Sequence, residues 1–443
     1  MPTPDVVFVA PPRPDLVNPH AQAPLGLLYL AAVIEHINGP QVETVQVVNL
    51  AGCQVEAGLA RLPQAACYAL TGTFLDVPAV NALARGLRAR SPRPRILVGG
   101  PICLSAAELD LEAIDCLVTG EAEEEIYDLI RDQNSMVGEG EFHGYAGTFT
   151  CSPPQDLDAI PMPAWHLWSG PFGGDVFIGG RNYFGGGSIT LLTTRGCPNT
   201  CAFCAGPALA PRRVRFHSPA RVVAEMERAV LDYGVRQFRL SDEFFTCYRP
   251  HVQGVCEGIM RSRVLGHGDG LVWRTSVGVK PHDHDLFRTM RAAGCREISI
   301  GVESADPAVL DLICRKGGPD DAQACLANAR AAGLLTRALM MVGTPGETRE
   351  TLIHNLRFLR TAPYDAVAVT VFTPIPGSAI AREPQTYKCR ILDSHRSICL
   401  YGPDGRNQVE PTIELEGFPL DERRAQMRAT VAAAEHGGKV GRG

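Results

Sequence analysis

The sequence lacks a long hydrophobic run. A membrane-spanning helix needs about 18 consecutive apolar residues, and the best stretch here, Leu25–Ile34, stops at Glu35. It also lacks any excess of positive charge, with 42 Lys and Arg against 48 Asp and Glu and a net charge of -6. A surface that tracks phosphates is basic, so no nucleic acid and no membrane are expected as partners. No basic segment precedes an apolar one at Met1–Asp5, and no internal repeat is visible. A cytoplasmic location is the expectation. Hydrophobic residues at 45% and charged residues at 20% exclude disorder for most of the chain. A length of 443 residues fits two or three domains.

What the sequence does have is fifteen cysteines. A long chain without a secretory pattern does not use them as a disulfide framework. Most are scattered with no ligand-like spacing and read as small buried apolar residues. Cys197, Cys201 and Cys204 are different, at spacing C-x3-C-x2-C.

The first third alternates short apolar strands with amphipathic helices. Val6–Ala10, Thr44–Leu50, Cys67–Thr71, Arg95–Val98 and Asp115–Thr119 read as strands, with helices at Leu25–Ile37 and Val77–Arg90. That rhythm predicts a doubly wound parallel α/β sheet, with ligands beyond the carboxyl ends of its strands. From 136 to 188 the rhythm lapses into Pro- and Gly-rich sequence, read as a linker. It ends at Gly185–Gly187, which lacks the Walker lysine of a phosphate loop. The alternation resumes at 189 and continues to about 380. Six strands, starting near Ile189, Gln237, Val272, Glu297, Arg337 and Ala366, predict a partial, open version of the parallel α/β barrel. The expected domains are therefore 1–135, a linker at 136–188, a barrel at 189–380, and a short mixed region at 381–443 with a disordered tail.

The cysteine triplet follows the first barrel strand directly. Three thiolates on one loop can point at one centre. Closed structural zinc needs a fourth donor, and the nearest histidine is His217. An iron–sulfur cubane ordinarily takes four thiolates, so three leave one iron open. An open position is what a substrate-binding metal requires. Buried free thiols are the remaining alternative.

This motif, in this place, resembles the radical S-adenosylmethionine (SAM) superfamily, and further residues carry the likeness in order. Phe203 precedes the last cysteine. Ser241-Asp242-Glu243 ends the second strand, Gly301-Val302-Glu303-Ser304 the fourth, Gly343-Thr344-Pro345-Gly346-Glu347 the fifth, and Pro374-Ile375-Pro376-Gly377-Ser378 the sixth. The resemblance implies a 4Fe–4S cluster on Cys197, Cys201 and Cys204. It implies SAM contacts from Phe203, Asp242, Glu243, Gly301, Glu303, Ser304, Gly343, Pro345 and Gly346, with Lys316 approaching the SAM carboxylate. No catalytic residue beyond the cluster is assigned.

The domain ahead of the barrel is similar to the Rossmann-like (flavodoxin-like) domain of cobalamin-dependent radical SAM enzymes. Leu25-Gly26-Leu27-Leu28-Tyr29, Thr71-Gly72-Thr73, Val98-Gly99-Gly100-Pro101, Thr119-Gly120-Glu121 and the Asp156–Pro163 bridge carry that likeness. It implies cobalamin against Thr71, Gly72, Thr73, Gly99, Gly100, Gly120 and Glu121. The D-x-H-x-x-G motif of many cobalamin proteins is missing, and His20 and His36 stand in the wrong context. The implied function is a methyltransferase passing a methyl group from methylcobalamin to an unactivated carbon, or second to that phosphorus, of a small molecule through a 5′-deoxyadenosyl radical. An external electron donor such as flavodoxin or ferredoxin is then expected. The alternative is radical rearrangement, cyclisation or ring contraction, with cobalamin in another role or absent.

Overall fold

The computed structural model describes residues 4–13, 23–37, 44–131, 147–172, 177–178, 181–185, 187–210, 212–266, 270–280, 283–392 and 409–437. The chain forms two compact units, Met1–Pro171 and Phe172–Gly443. No helix among the described residues is long and apolar enough to cross a membrane.

The first unit runs β1 (Val6–Ala10), α1 (Leu25–Ile37), β2 (Val45–Asn49), α2 (Val55–Arg61), β3 (Cys67–Thr71), α3 (Val77–Arg88), β4 (Arg95–Gly99), β5 (Cys116–Thr119), α4 (Ile126–Arg131) and β6 (Gly147–Thr150). All six strands are parallel, in the order β2-β1-β3-β4-β5-β6. Strands covered on both faces are continuously apolar, and β1 is buried at every position. Val80, Leu83, Ala84 and Leu87 of α3 line one helical face and pack onto Val7, Val9, Tyr68, Leu70, Ile96 and Val98. The sheet order reverses between β1 and β3, and ligands of such sheets gather at that switch point.

The stretch read as a linker is partly structural. Gly147–Thr150 pairs with β5, and the unit continues to Pro171, burying Leu157, Ile160, Trp165 and Trp168. A four-residue edge strand draws its stability from the strand beside it, so its own sequence carries little signal. Gly120 is where β6 closes on the sheet. It has φ +84°, and a Cβ there would stand 2.3 Å from Cys151 O.

The second unit runs β7 (Ile189–Leu191), β8 (Thr194–Arg195), α5 (Gly206–Leu209), β9 (Arg215–Phe216), α6 (Pro219–Tyr233), β10 (Gln237–Leu240), α7 (Arg249–Arg261), β11 (Val272–Val277), α8 (His284–Ala292), β12 (Cys295–Glu303), α9 (Pro307–Leu312), α10 (Pro319–Ala331), β13 (Leu335–Val342), α11 (Arg349–Thr361), β14 (Ala366–Val371), α12 (Ala379–Arg382), β15 (Cys389–Ile391), β16 (Ile413–Leu415) and α13 (Leu420–Gly437). Its main sheet is fully parallel, in the order β14-β13-β12-β11-β10-β7. Among the described residues no strand pairs beyond β7 or β14, which fits the open barrel that the six-strand rhythm predicts. Local chemistry sets the helix starts. Ser218 accepts the Arg221 N–H with Pro219 in the first turn of α6, and Asp283 accepts the Leu286 N–H at α8.

The region read as short and mixed holds α13, an 18-residue helix packed on α11 and β14. The expected disordered tail beyond Gly437 lies outside the described residues, as do His20 and Gly186.

Candidate functional site

The loop Thr193–Cys204 is held from both ends. At its start the buried Asp242 carboxylate accepts Thr193 N at 2.7 Å, Thr194 N at 2.6 Å and Thr193 Oγ1 at 2.9 Å. Burial pushes its pKa up to about 6 against these donors. His251 Nε2 lies 3.0 Å from Thr193 Oγ1, and His217 N donates to Thr193 O. At the other end Ala202 N donates to Ile313 O, just past α9, while Ile380 N of α12 donates to Ala202 O. The Pro374–Ser378 motif makes this second pin possible. Ser378 caps α12 by accepting the Ala381 N–H at 3.2 Å.

Cys201 is buried, Cys197 half-buried and Cys204 exposed. Cys204 feels the charges of Cys197, Glu303 and Glu243, and Cys201 those of Arg315, Cys204 and Glu303. Among the described residues no three Cys, His, Asp or Glu side chains converge on a single ion. A cubane binds each thiolate on a different iron, and three thiols on one loop fit that donor set.

Glu303 ends β12 with φ +64°, a left-handed backbone rare for a residue with a side chain. The β12–β13 register shifts at this point. Arg315 Nη2 donates to Gly301 O at 2.6 Å, and its Nε stands 3.9 Å from Glu303 Oε1. That Nε is buried with no hydrogen-bond partner. A cation beside Cys201, an orphaned donor and a buried carboxylate pushed up by desolvation fit a charged cofactor between them.

The other residues read from the sequence divide. Glu243 is exposed and acts on Cys204. Phe203 is half-buried and packs against the core cluster that includes Val309, Ile313 and Ile380. Ser304 is fully buried, its Oγ accepting the Asp306 N–H at 3.1 Å. Gly343 and Pro345 are buried in a turn that Glu347 ties together, its Oε1 accepting Gly343 N, Thr344 N and Thr344 Oγ1. Gly343 has φ +79°, and a Cβ there would meet Met427 of α13 at 3.1 Å. Asp242 spends both carboxylate oxygens beneath the cysteine loop. Lys316 is exposed, and its neighbour Arg315 stands near Cys201 and Glu303. Arg423, wholly buried, was missed; it donates to Gly343 O at 3.0 Å and to Ile413 O.

In the first unit, Thr71 ends β3 and Gly72 and Thr73 follow it, at the switch point. Thr71 Oγ1 donates to Gly99 O at 3.1 Å, and Thr73 forms a capping box with Asp76, which Arg13 grips through two bonds of 2.9 and 2.7 Å. Gly100 and Gly120 are exposed and Glu121 half-buried at neighbouring strand ends. Small residues and open backbone there fit a planar ligand lying across the loops. The Thr73–Asp76 box was readable from its spacing; Arg13 carried no signal. His36 is exposed in the last turn of α1.

Comparison with known proteins agrees with this geometry. Residues 191–359 match the radical SAM superfamily, and this part of the chain is a radical SAM domain. That domain implies SAM and a 4Fe–4S cluster. The fold of the whole chain is that of the radical SAM methyltransferase TsrM from Kitasatospora setae, whose structure holds cobalamin and a [4Fe–4S] cluster: TM-score 0.68 and 17% identity, covering 98% of this chain and 92% of that one. An uncharacterized methyltransferase of Pyrococcus horikoshii is 25% identical over 370 residues, 81% of this chain and 77% of the relative. The anaerobic magnesium-protoporphyrin IX monomethyl ester cyclase of Cereibacter sphaeroides is 28% identical over 287 residues, 61% of this chain but only 44% of the cyclase.

Proposed function

We propose that this protein is a cobalamin-dependent radical SAM methyltransferase that methylates an unactivated carbon of a small molecule. The observation that carries the reading is the three-thiol loop at the carboxyl end of the first barrel strand, backed by Glu303 and Arg315. The fold shared with a cobalamin-carrying methyltransferase supports the methyl-transfer part. When bound, the cofactors supply reductive cleavage of a sulfonium, a carbon radical and a transferable methyl group.

The chain supplies position and charge. Cys197, Cys201 and Cys204 would hold the cluster. Asp242, by holding Thr193 and Thr194, positions that loop. Glu243, Gly301, Glu303 and the Gly343–Gly346 turn would bind SAM, with Arg315 available to a carboxylate. Thr71–Thr73, Gly99, Gly100, Gly120 and Glu121 would bind cobalamin, and no histidine is assigned to it. The electron comes from an external flavodoxin- or ferredoxin-type donor.

Anaerobic reconstitution with iron, sulfide and hydroxocobalamin tests this reading. Cys201→Ala is expected to abolish 5′-deoxyadenosine formation, and retained cleavage would contradict the ligand assignment. Product heavier by one methylene, with both S-adenosylhomocysteine and 5′-deoxyadenosine released, supports methylation. The similarity to the cyclase favours a second reading, radical ring formation; deoxyadenosine without methyl gain would select it.

A further inference from the structure

Among the described residues, Arg239, Arg274 and Arg337 gather near one carboxylate, Glu297, toward the amino-terminal end of the barrel strands. Trp273 donates its indole N–H to Ala293 O at the end of α8, which turns that face of β11 toward the helices. Alternation along the strand then turns Arg274 to the opposite, concave face. Arg239 on β10 and Glu297 on β12 stand in register with Arg274, and Arg337 on β13 is in register with Ser299. Glu297 Oε1 lies 3.4 Å from both Arg274 Nη1 and Arg337 Nη2, and its other oxygen accepts the Ile178 N–H. Both oxygens of this carboxylate are thereby engaged. Arg239 has no carboxylate partner among the described residues. Burial and the neighbouring Arg337 both push its guanidinium below the ordinary value.

At the amino-terminal end of β10, Tyr183 N donates to Gln237 Oε1 at 2.7 Å, and Gln237 Nε2 donates to Asn182 Oδ1 at 2.6 Å and Gly187 O at 2.9 Å. Arg239 lies two residues further along the strand, toward the cysteine-loop end. Along β12, Gly301 and Glu303 lie four and six residues beyond Glu297. That is about 13 to 20 Å at ~3.3 Å per residue, the span of an extended small molecule.

We propose that the floor of the barrel lumen is an anion-binding subsite that takes the carboxylate or phosphate end of an elongated substrate, with Arg239 as its main contact and Arg274 and Arg337 flanking. A guanidinium fork matches either group through two parallel hydrogen bonds. The inference rests on the proposed function only in calling the occupant a substrate; the anion site itself rests on the arginines.

The test uses the full reconstituted chain and two probes, inorganic phosphate and acetate, at constant ionic strength. Wild type is expected to show saturable binding by calorimetry and a matching rise in melting temperature. The stronger probe tells a phosphate ester from a carboxylate. Arg239→Met is expected to weaken that binding at least tenfold and, without anion, to melt no lower than wild type, because an unbalanced charge has gone. No saturable response in wild type, equal affinity in the variant, or a variant that melts lower in anion-free buffer would each overturn the subsite. Should Arg239→Met fail to fold, Arg239→Lys keeps the charge and loses the fork; unchanged affinity there overturns it equally. SAM cleavage by wild type is read in parallel. Cleavage without an anion response sinks the subsite alone, and an anion response without cleavage sinks the proposed function alone.

Discussion

Single residues divide here into those that touch chemistry and those that hold them. Glu225 belongs to the second group. It is buried in α6, with Arg221 Nε 3.9 Å from its carboxylate. Burial pushes its pKa from 4.5 up to about 7, against the pull of Arg221, Arg228 and Arg195. The folded state therefore holds this proton more tightly than the unfolded chain. Its contribution is fully present below pH 4.5 and is lost as the pH rises toward 7. Glu225→Gln, which keeps the shape without the charge, should remove about 3 kcal/mol of that slope. Melting curves of wild type and variant across this range check it. Parallel curves would mean that Glu225 titrates normally. At the same scale, Arg315 and Lys316 both follow α9, and the fold leaves Lys316 exposed and Arg315 half-buried near Glu303.

Among the elements, α13 has a role that its sequence hides. Its charged residues outnumber any clear apolar stripe, yet Arg423 is buried against Gly343 O and Ile413 O, and Gln426 Nε2 donates to Thr348 O at 2.9 Å. The helix thus clamps both ends of the Gly343–Thr348 turn. Arg423→Met leaves Glu347 without its nearby cation and two carbonyls without a donor. A loss of about 3–5 kcal/mol is expected. If the turn faces SAM, KM for SAM should rise more than kcat falls. Melting and steady-state kinetics check both, and an unshifted melting temperature would remove the clamp. Parallel strands and capped helices were legible because each carries its own pattern: an apolar run for β1, Ser218-Pro219 for α6. β6, α9 and α13 were not, because short or polar elements depend on neighbours far away in the chain. The cysteine loop was legible as a motif, while its supports, His251, Ile313 and Ile380, were not.

For the whole molecule, the two compact units each own a hydrophobic core. Unfolding is then expected in two calorimetric transitions rather than one. Because a ligand stabilises what it binds, hydroxocobalamin should raise one transition and SAM with reconstituted iron the other. Scanning calorimetry with each addition checks this; one transition moved equally by both would contradict the separate assignments.

Glu303 adopts a backbone angle that glycine would take at no steric cost. Directed evolution toward heat tolerance, run without a demand for turnover, would then drift to glycine at this position. If Glu303 binds SAM as proposed, the hardened protein would forfeit its reaction, so screens for robustness need an activity filter at this one codon.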